Sequence, residues 1–151
     1  MIHELKIKSS TLVIGIGNKG RNDDGLGWEF AEKIEQQQLP NTVCEYRYQL
    51  QIEDAHLIGQ YETVFFVDAS HQPIAKGFEI TESKLVNHFY FSSHSQSPET
   101  ILYLAKELFQ KEPIAFTIAI AGEDWEFENK LSETAIQNLV KALKRFERFY
   151  S

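Results

Sequence analysis

The sequence predicts a three-layer α/β domain with a mostly parallel sheet. Three observations lead to this expectation: strand-like and helix-like segments alternate along the chain, an unbroken apolar run lies within residues 63–69, and the chain is 151 residues long. Alternating strands and helices form parallel sheets with helices on both faces. A strand buried on both faces reads as a continuous apolar run. The length matches one ordinary domain, residues 1–151.

The first half of the chain contains three predicted strands and two predicted helices. Leu26, Phe30 and Ile34 recur every four residues, the spacing of one helix face. This helix follows a β-rich run that ends in glycines. The expected elements are a strand at 11–17, a helix at 26–34, a strand at 42–50, a short helix at 53–61 and the buried strand at 63–69.

The second half contains two longer helices around one more buried strand. Ser97 is a good N-cap and Pro98 suits the first helical position. Basic residues in the C-terminal half of the last helix suit its dipole. We expect weak strands at 77–81 and 88–91, a helix from 97, a strand at 113–121 and a helix from 132. The expected apolar faces are Ile101, Leu102, Ala105, Leu108 and Phe109 in the first helix and Ile136, Leu139, Val140, Leu143 and Phe146 in the last.

Composition excludes several classes of function. The chain has 15 Lys and Arg against 22 Asp and Glu, a formal charge of −7, which argues against non-specific binding to nucleic acid or to an anionic membrane. No apolar run approaches the roughly 20 residues that span a bilayer, and no signal peptide is recognisable, so we expect a cytoplasmic protein, with a monomer favoured. The single cysteine, Cys44, is expected to be a packed structural thiol.

A glycine-rich loop follows the first predicted strand. Read literally, Gly15-x-Gly17-x-x-Gly20 is the dinucleotide fingerprint in a strand-to-helix context. Four polar residues separate Gly20 from the helix, however, and two of them are the adjacent carboxylates Asp23 and Asp24, which repel a bound anion. Dinucleotide binding therefore stays a weaker alternative.

Three side chains follow predicted strands where parallel strands end together. Asp24 lies in the glycine loop, Asp68 ends the buried strand, and His94 precedes the helix that starts at Ser97. The carboxyl edge of an open α/β sheet is where ligands bind. Two carboxylates and an imidazole suit Zn²⁺, Ni²⁺, Mn²⁺ or Fe²⁺, and three protein ligands with open positions are typical of a catalytic metal site. His71 is a possible neighbour of this site.

These segments resemble the nickel-iron hydrogenase maturation peptidases. The glycine loop matches their opening motif of Gly-x-Gly-Asn, four residues, Asp, Asp or Glu, then Gly-x-Gly. The similarity covers most of the chain. The matching segments are residues 15–27, 65–69 (Phe-Phe-Val-Asp-Ala), 94–99 (His-Ser-Gln-Ser-Pro-Glu), Gln49-Leu50 with Glu53, and the stretch from Gly122 to Leu131-Ser132.

The resemblance implies a five-stranded twisted sheet between helical layers and a nickel-dependent endopeptidase. Its partner would be a hydrogenase large-subunit precursor, whose C-terminal extension is removed once nickel has been inserted. Asp24, Asp68 and His94 fall on the metal-contacting, catalytic trio. The nickel would come with the substrate, and Zn or Cd could take the site in vitro. Asn18 would lock the glycine loop. Asp23 would either orient a metal-bound water or cap the helix, and we favour the cap.

The loop also departs from the family pattern. Asn22 replaces a frequent glycine, and Lys19-Gly20-Arg21 stands where a more apolar stretch is common. These differences bear on which partner the loop recognises. They motivate an alternative of a different class: a non-catalytic metal-binding or chaperone-like module of the same fold that serves another partner.

Overall fold

A computed structural model describes residues 9–84 and 96–150. The predicted alternation of strands and helices is confirmed. The described elements, in chain order, are β1 (Thr11–Ile16), a 3-10 turn (Asn22–Gly25), α1 (Leu26–Gln37), β2 (Thr42–Arg47), α2 (Asp54–Ile58), β3 (Thr63–Ser70), β4 (Phe78–Glu82), α3 (Pro98–Phe109), β5 (Ile114–Ala121), α4 (Glu133–Glu147) and a second 3-10 turn (Arg148–Tyr150).

The five strands form one sheet in the order β2-β1-β3-β5-β4. β1, β2, β3 and β5 are parallel, and β4 runs antiparallel to β5 at one edge. The expectation of a mostly parallel five-stranded sheet is therefore confirmed. The weak strand expected at 77–81 is present as β4, whereas the one expected at 88–91 lies outside the described residues.

Each face of the sheet has its own apolar core. Alternate β3 side chains divide between the two: Phe65 and Val67 pack with α1 and α4, while Val64 and Phe66 pack with α2 and α3. Both cores are closed by helices, which gives the three layers that the sequence predicts. Truncating Phe65, whose ring packs on Phe116, Phe146 and Phe149, would cost about 3–5 kcal/mol of unfolding free energy.

Two helix faces differ from the prediction. Ile136 and Val140 are 48% and 44% exposed, and Leu108 and Phe109 at the end of α3 are 56% and 38% exposed. In α4 the predicted Leu139 and Phe146 are buried, but Ala135, Asn138 and Ala142 take the places expected for Ile136, Val140 and Leu143. The buried residues of α4 are Ala135, Asn138, Leu139, Ala142 and Phe146.

No helix within residues 9–84 and 96–150 is long and apolar enough to cross a membrane.

Candidate active site

The loops after the parallel strands meet at the carboxyl edge of the sheet. Asp24 lies in the 3-10 turn between β1 and α1, and Asp68 lies near the end of β3, the strand next to β1. The charge of Asp24 acts on the carboxyl of Asp68. The structure thus brings together two of the three predicted ligands. His94 lies outside the described residues and stays a prediction.

Among the described residues, one group donates a hydrogen bond to the Asp68 carboxyl. The backbone N–H of Ala69 donates to its Oδ1 at 2.8 Å, and no other described residue is hydrogen-bonded to the carboxyl. Burial raises the pKa of Asp68 to about 7; the Ala69 hydrogen bond opposes this rise, and the negative charge of Asp24 adds to it. A partly buried carboxyl that feels the charge of a second carboxylate, and that has one hydrogen-bond donor among the described residues, is suited to binding a cation.

Asp68 points into a cavity of about 350 Å³ on the α2–α3 face of the sheet. Its rim includes Tyr48 and Gln49, which follow β2. Its floor is mostly apolar. The lining residues are Ile16, Tyr48, Gln49, Leu50, Phe66, Asp68, Gln96, Pro98 and Thr117. The sequence motifs point to Gln49 and Leu50 but not to Tyr48. The position of Tyr48 just past a strand end at the carboxyl edge is the one local signal for it.

Asp24 is fixed by the glycine loop. The backbone N–H of Asn18 donates to both Oδ2 and the main-chain oxygen of Asp24, each at 3.0 Å. Gly17 has a φ of +138°, and a Cβ there would lie 2.0 Å from the Asp24 oxygen. Only glycine leaves room for this close approach. The loop therefore sets the position of Asp24.

The loop amides already have acceptors within the protein. The N–H groups of Gly17 and Asn22 bond to the carbonyl oxygens of Arg47 and Glu128, and that of Gly20 bonds to Oδ1 of Asn18 at 2.8 Å. The last bond confirms that Asn18 locks the loop. A pyrophosphate would need these amides free, so the arrangement argues against dinucleotide binding. The amides of four other loop residues also bond to carbonyl oxygens: those of Asn18, Arg21, Asp23 and Asp24 bond to Asp24, Asn18, Asp124 and Arg21, respectively.

Two glycines of the motif serve close packing between helix and sheet. A Cβ on Gly27 would lie 2.4 Å from the carbonyl oxygens of both Ile16 and Val67, and one on Gly15 would lie 2.5 Å from that of Gly27. Side chains would push α1 away from β1 and β3. The glycine pattern that suggests a phosphate loop is thus explained by the fit of α1 onto the sheet.

Asp23 is fully buried and has a structural role. Its Oδ2 accepts hydrogen bonds from the N–H groups of Glu123 and Asp124 and from the hydroxyl of Ser132, at 2.7–2.9 Å. Its Oδ1 accepts from the Ser132 N–H at 2.8 Å. Burial acts to raise the pKa of Asp23, but these hydrogen bonds outweigh it and the pKa is lowered.

The expected capping role of Asp23 is wrong. Neither the 3-10 turn nor α1 has a side-chain N-cap hydrogen bond. Asp23 instead ties the start of α1 to the loop of residues 122–132, which precedes α4. Its partner Ser132 caps α4 by accepting a hydrogen bond from Ala135. Of the two adjacent acidic residues, Asp23 is therefore structural, and Asp24 is the one predicted as a ligand.

The unusual residues of the loop make contacts within the chain. Lys19 Nζ lies 3.1 and 2.8 Å from carboxylate oxygens of Glu29 and Glu32 on α1. The Arg21 guanidinium donates to the carbonyl oxygen of Trp125 and lies 4.5 Å from the ring centroid of Phe127. The departures from the family pattern therefore have an explanation within the fold.

Other candidates lie apart from the Asp68 cavity. His71 stacks on Trp125 with ring centroids 3.6 Å apart, and both line a different cavity. Burial raises the pKa of Cys44 to about 12, with added effects of Glu35 and Glu45. The thiol packs against the core, which confirms its structural role. Across residues 9–84 and 96–150, no group of three His, Cys, Asp or Glu side chains could hold a metal.

Solved structures share this architecture along nearly the whole chain. A [NiFe] hydrogenase maturation protease, HycI, from Thermococcus kodakarensis is 19% identical with a TM-score of 0.74, covering 98% of this chain and 97% of that one. This chain has the hydrogenase maturation protease fold.

Two further structures agree with this fold. The hydrogenase 2 maturation peptidase from a Thaumarchaeota archaeon is 17% identical with a TM-score of 0.67, over 91% of this chain and 95% of that one. The hydrogenase maturating endopeptidase HybD from E. coli is also 17% identical, with a TM-score of 0.65 over 91% and 89%. No protein-family model and no curated protein matches the sequence. The hydrogenase maturation protease fold therefore rests on three-dimensional similarity.

Proposed function

We propose that this chain is a metal-directed endopeptidase that removes the C-terminal extension of a nickel-loaded hydrogenase large-subunit precursor. One observation carries the proposal. Within a fold shared with proteins named as hydrogenase maturation proteases, Asp24 and Asp68 are electrostatically coupled at one edge of the sheet. Asp68 faces a cavity large enough for part of a polypeptide.

The donor chemistry fits a divalent cation. Asp24 and Asp68 supply carboxylate oxygens, and His94 is proposed as the third ligand by sequence resemblance. Nickel that arrives with the substrate would be both the recognition signal and the source of reactivity. A bound divalent cation polarises a carbonyl or lowers the pKa of a water.

The protein's own residues prepare this site. Gly17 and Asn18 hold Asp24 in place, so the Asp24 carboxylate loses little conformational entropy when it binds a cation. Asp68, with a pKa near 7 in the metal-free protein, releases its proton as a cation binds, because ligand carboxylates must be ionised. The cavity beside Asp68 would receive the polypeptide next to the cleaved bond.

The test is cleavage of a nickel-loaded large-subunit precursor from the source organism, followed by mass spectrometry of the released C-terminal peptide. Nickel-free precursor should stay intact. Asp24→Ala, Asp68→Ala and His94→Ala should each abolish cleavage while the fold is retained. Glu126→Ala is the matched control, because it removes an exposed carboxylate from the same sheet edge. Intact precursor in every condition would contradict the proposal.

Two other outcomes would identify the alternatives. Tight nickel binding without cleavage of any precursor would favour a non-catalytic metal-binding or chaperone-like module. A thermal shift with NAD or NADP would favour the dinucleotide interpretation, which the occupied loop amides make unfavourable.

A further inference from the structure

An exposed aromatic side chain stands at the mouth of the Asp68 cavity. Tyr48 is 70% exposed, yet its ring stacks on Trp28 of α1, with centroids 5.4 Å apart and planes at 30°. Tyr48 lines the same cavity as Asp68. A tyrosine has an apolar ring and a polar hydroxyl, and such side chains are enriched at binding surfaces.

The Trp28 ring on which Tyr48 stacks is itself held by other residues. The Trp28 indole N–H donates to the carbonyl oxygen of Arg47 at 2.9 Å. The Trp28 ring also packs on the ring of Tyr46, with centroids 5.4 Å apart. The hydroxyl of Tyr46 donates in turn to a carboxylate oxygen of Glu35. Because Trp28 is fixed by its hydrogen bond to Arg47, Tyr48 stacks on an ordered surface, and this lowers the entropy lost when a ligand packs on its ring.

The cavity below the ring has a defined chemistry. Ile16, Leu50, Phe66 and Pro98 supply apolar surface, and Asp68 is the one carboxylate among its lining residues. An aliphatic or aromatic side chain would bury apolar area on this floor and against Tyr48. A peptide in this position would have its backbone close to the carboxylate of Asp68.

We infer that Tyr48, supported by Trp28, determines specificity by packing on an apolar side chain of the polypeptide that enters the Asp68 cavity. The inference rests on the proposed function in that the bound polypeptide is taken to be the one that is cleaved. Binding of the apolar side chain can be measured whether or not cleavage occurs. The substrate class is a polypeptide with an aliphatic or aromatic residue beside the bond that lies at Asp68.

Binding can be followed with the protein's own fluorescence, because the chain has two tryptophans, Trp28 and Trp125. In Trp125→Phe the remaining reporter is in the stack. The probes are blocked Gly/Ser nonapeptides with one guest residue: Leu, Phe, Gly or Lys. We expect Leu and Phe guests to shift the Trp28 emission with at least about tenfold tighter half-saturation than the Gly guest.

Three variants complete this experiment. Tyr48→Ala in the Trp125→Phe background should remove the preference, and Tyr48→Phe should keep it. Trp28→Phe leaves Trp125, which lines other cavities, as a reporter that should not respond. Equal half-saturation for all guests, including no binding by any of them, would overturn the inference. So would tightest binding of the Lys guest, which would assign recognition to Asp68.

Kinetics separate this inference from the proposed function. With nickel-loaded precursor, Tyr48→Ala should raise KM about tenfold and leave kcat nearly unchanged. Phe127→Ala is the matched control, since Phe127 is an exposed aromatic that lines a different cavity; its KM should not change. Normal KM in Tyr48→Ala overturns the inference and leaves the peptidase intact. Tyr48-dependent peptide binding without cleavage supports the inference and contradicts the peptidase.

Discussion

Asp23 and Asp68 are two carboxylates at the same edge of one sheet, and their surroundings differ in the number of hydrogen bonds. Asp23 is buried and accepts four hydrogen bonds, and its pKa is lowered. Asp68 accepts one from Ala69, and burial raises its pKa to about 7. The difference teaches that burial disfavours an ionised carboxylate unless the fold supplies donors that offset the lost hydration. Within the described residues Asp68 has one such donor, and this is why we propose it as a cation ligand.

Under the proposed function, the largest expected effect is the loss of precursor cleavage in Asp68→Asn. An amide is a poor ligand for a divalent cation, so cleavage of nickel-loaded precursor should fall by about a thousandfold or more. Initial rates measured by mass spectrometry check this. Glu79→Gln, an exposed carboxylate on β4, should cleave at the normal rate. Retained activity in Asp68→Asn would place the chemistry elsewhere.

Asp23→Asn should mainly lower the stability of the fold. The amide group presents donors to partners that are themselves donors, so the free energy of unfolding should fall by about 3 kcal/mol. Urea unfolding of the metal-free protein measures the change. Asp124→Asn, where the carboxylate accepts one hydrogen bond from Glu126, should stay within about 0.5 kcal/mol. An unchanged midpoint for Asp23→Asn would show that the four hydrogen bonds contribute little.

The two carboxylates should have opposite effects on the pH dependence of stability. The folded-state pKa of Asp68 is raised to about 7, so its contribution is fully present below the unfolded value near 4 and is lost as pH rises through 7. Because Asp23 has a lowered pKa, its contribution is present above about pH 4 and is lost as pH falls through the folded value.

Unfolding free energies of metal-free wild type and Asp68→Asn, measured from pH 4 to 8, isolate the Asp68 effect. The wild type should lose about 2 kcal/mol relative to the variant across this range, below the ceiling of roughly 4 kcal/mol set by the full shift. Parallel curves for the two proteins would contradict the assigned environment of Asp68.

Asn18→Ala should produce the smallest effect. It removes the hydrogen bond from the Gly20 amide to Asn18 Oδ1 and should lower the free energy of unfolding by about 1 kcal/mol. Thermal unfolding checks the change, and the exposed Asn129→Ala should be neutral. A lower cleavage rate in Asn18→Ala would show that the turn closed by the Asn18 side chain also positions Asp24. Equal unfolding free energies for Asn18→Ala and Asn129→Ala would show that the Asn18 hydrogen bond does not stabilise the glycine loop.

Most of the fold could be predicted because its signals are local. Apolar runs, the Ser97-Pro98 helix start and the helix spacing from Leu26 all depend on residues near each other in sequence. The convergence of Asp24 and Asp68 could also be predicted, since parallel strands end at one edge. His94 stays a prediction.

What could not be predicted depends on partners far away in the sequence. Asp23 binds Glu123, Asp124 and Ser132, about a hundred residues further along the chain, so the same Asp reads locally as a helix cap. Ile136 and Val140 fit an amphipathic face, but the approach of α4 to the sheet decides which stripe is buried.

The sequence by itself determined the order of strands and helices, the position of the glycine loop and the acidic residues available at the sheet edge. Only the tertiary structure decided which carboxylate is bonded by backbone and hydroxyl donors and which one lines a cavity, and that Tyr48 stacks on Trp28 beside that cavity. The physical reason is that hydrogen-bond satisfaction and stacking depend on distances between residues that the chain brings together only when it folds.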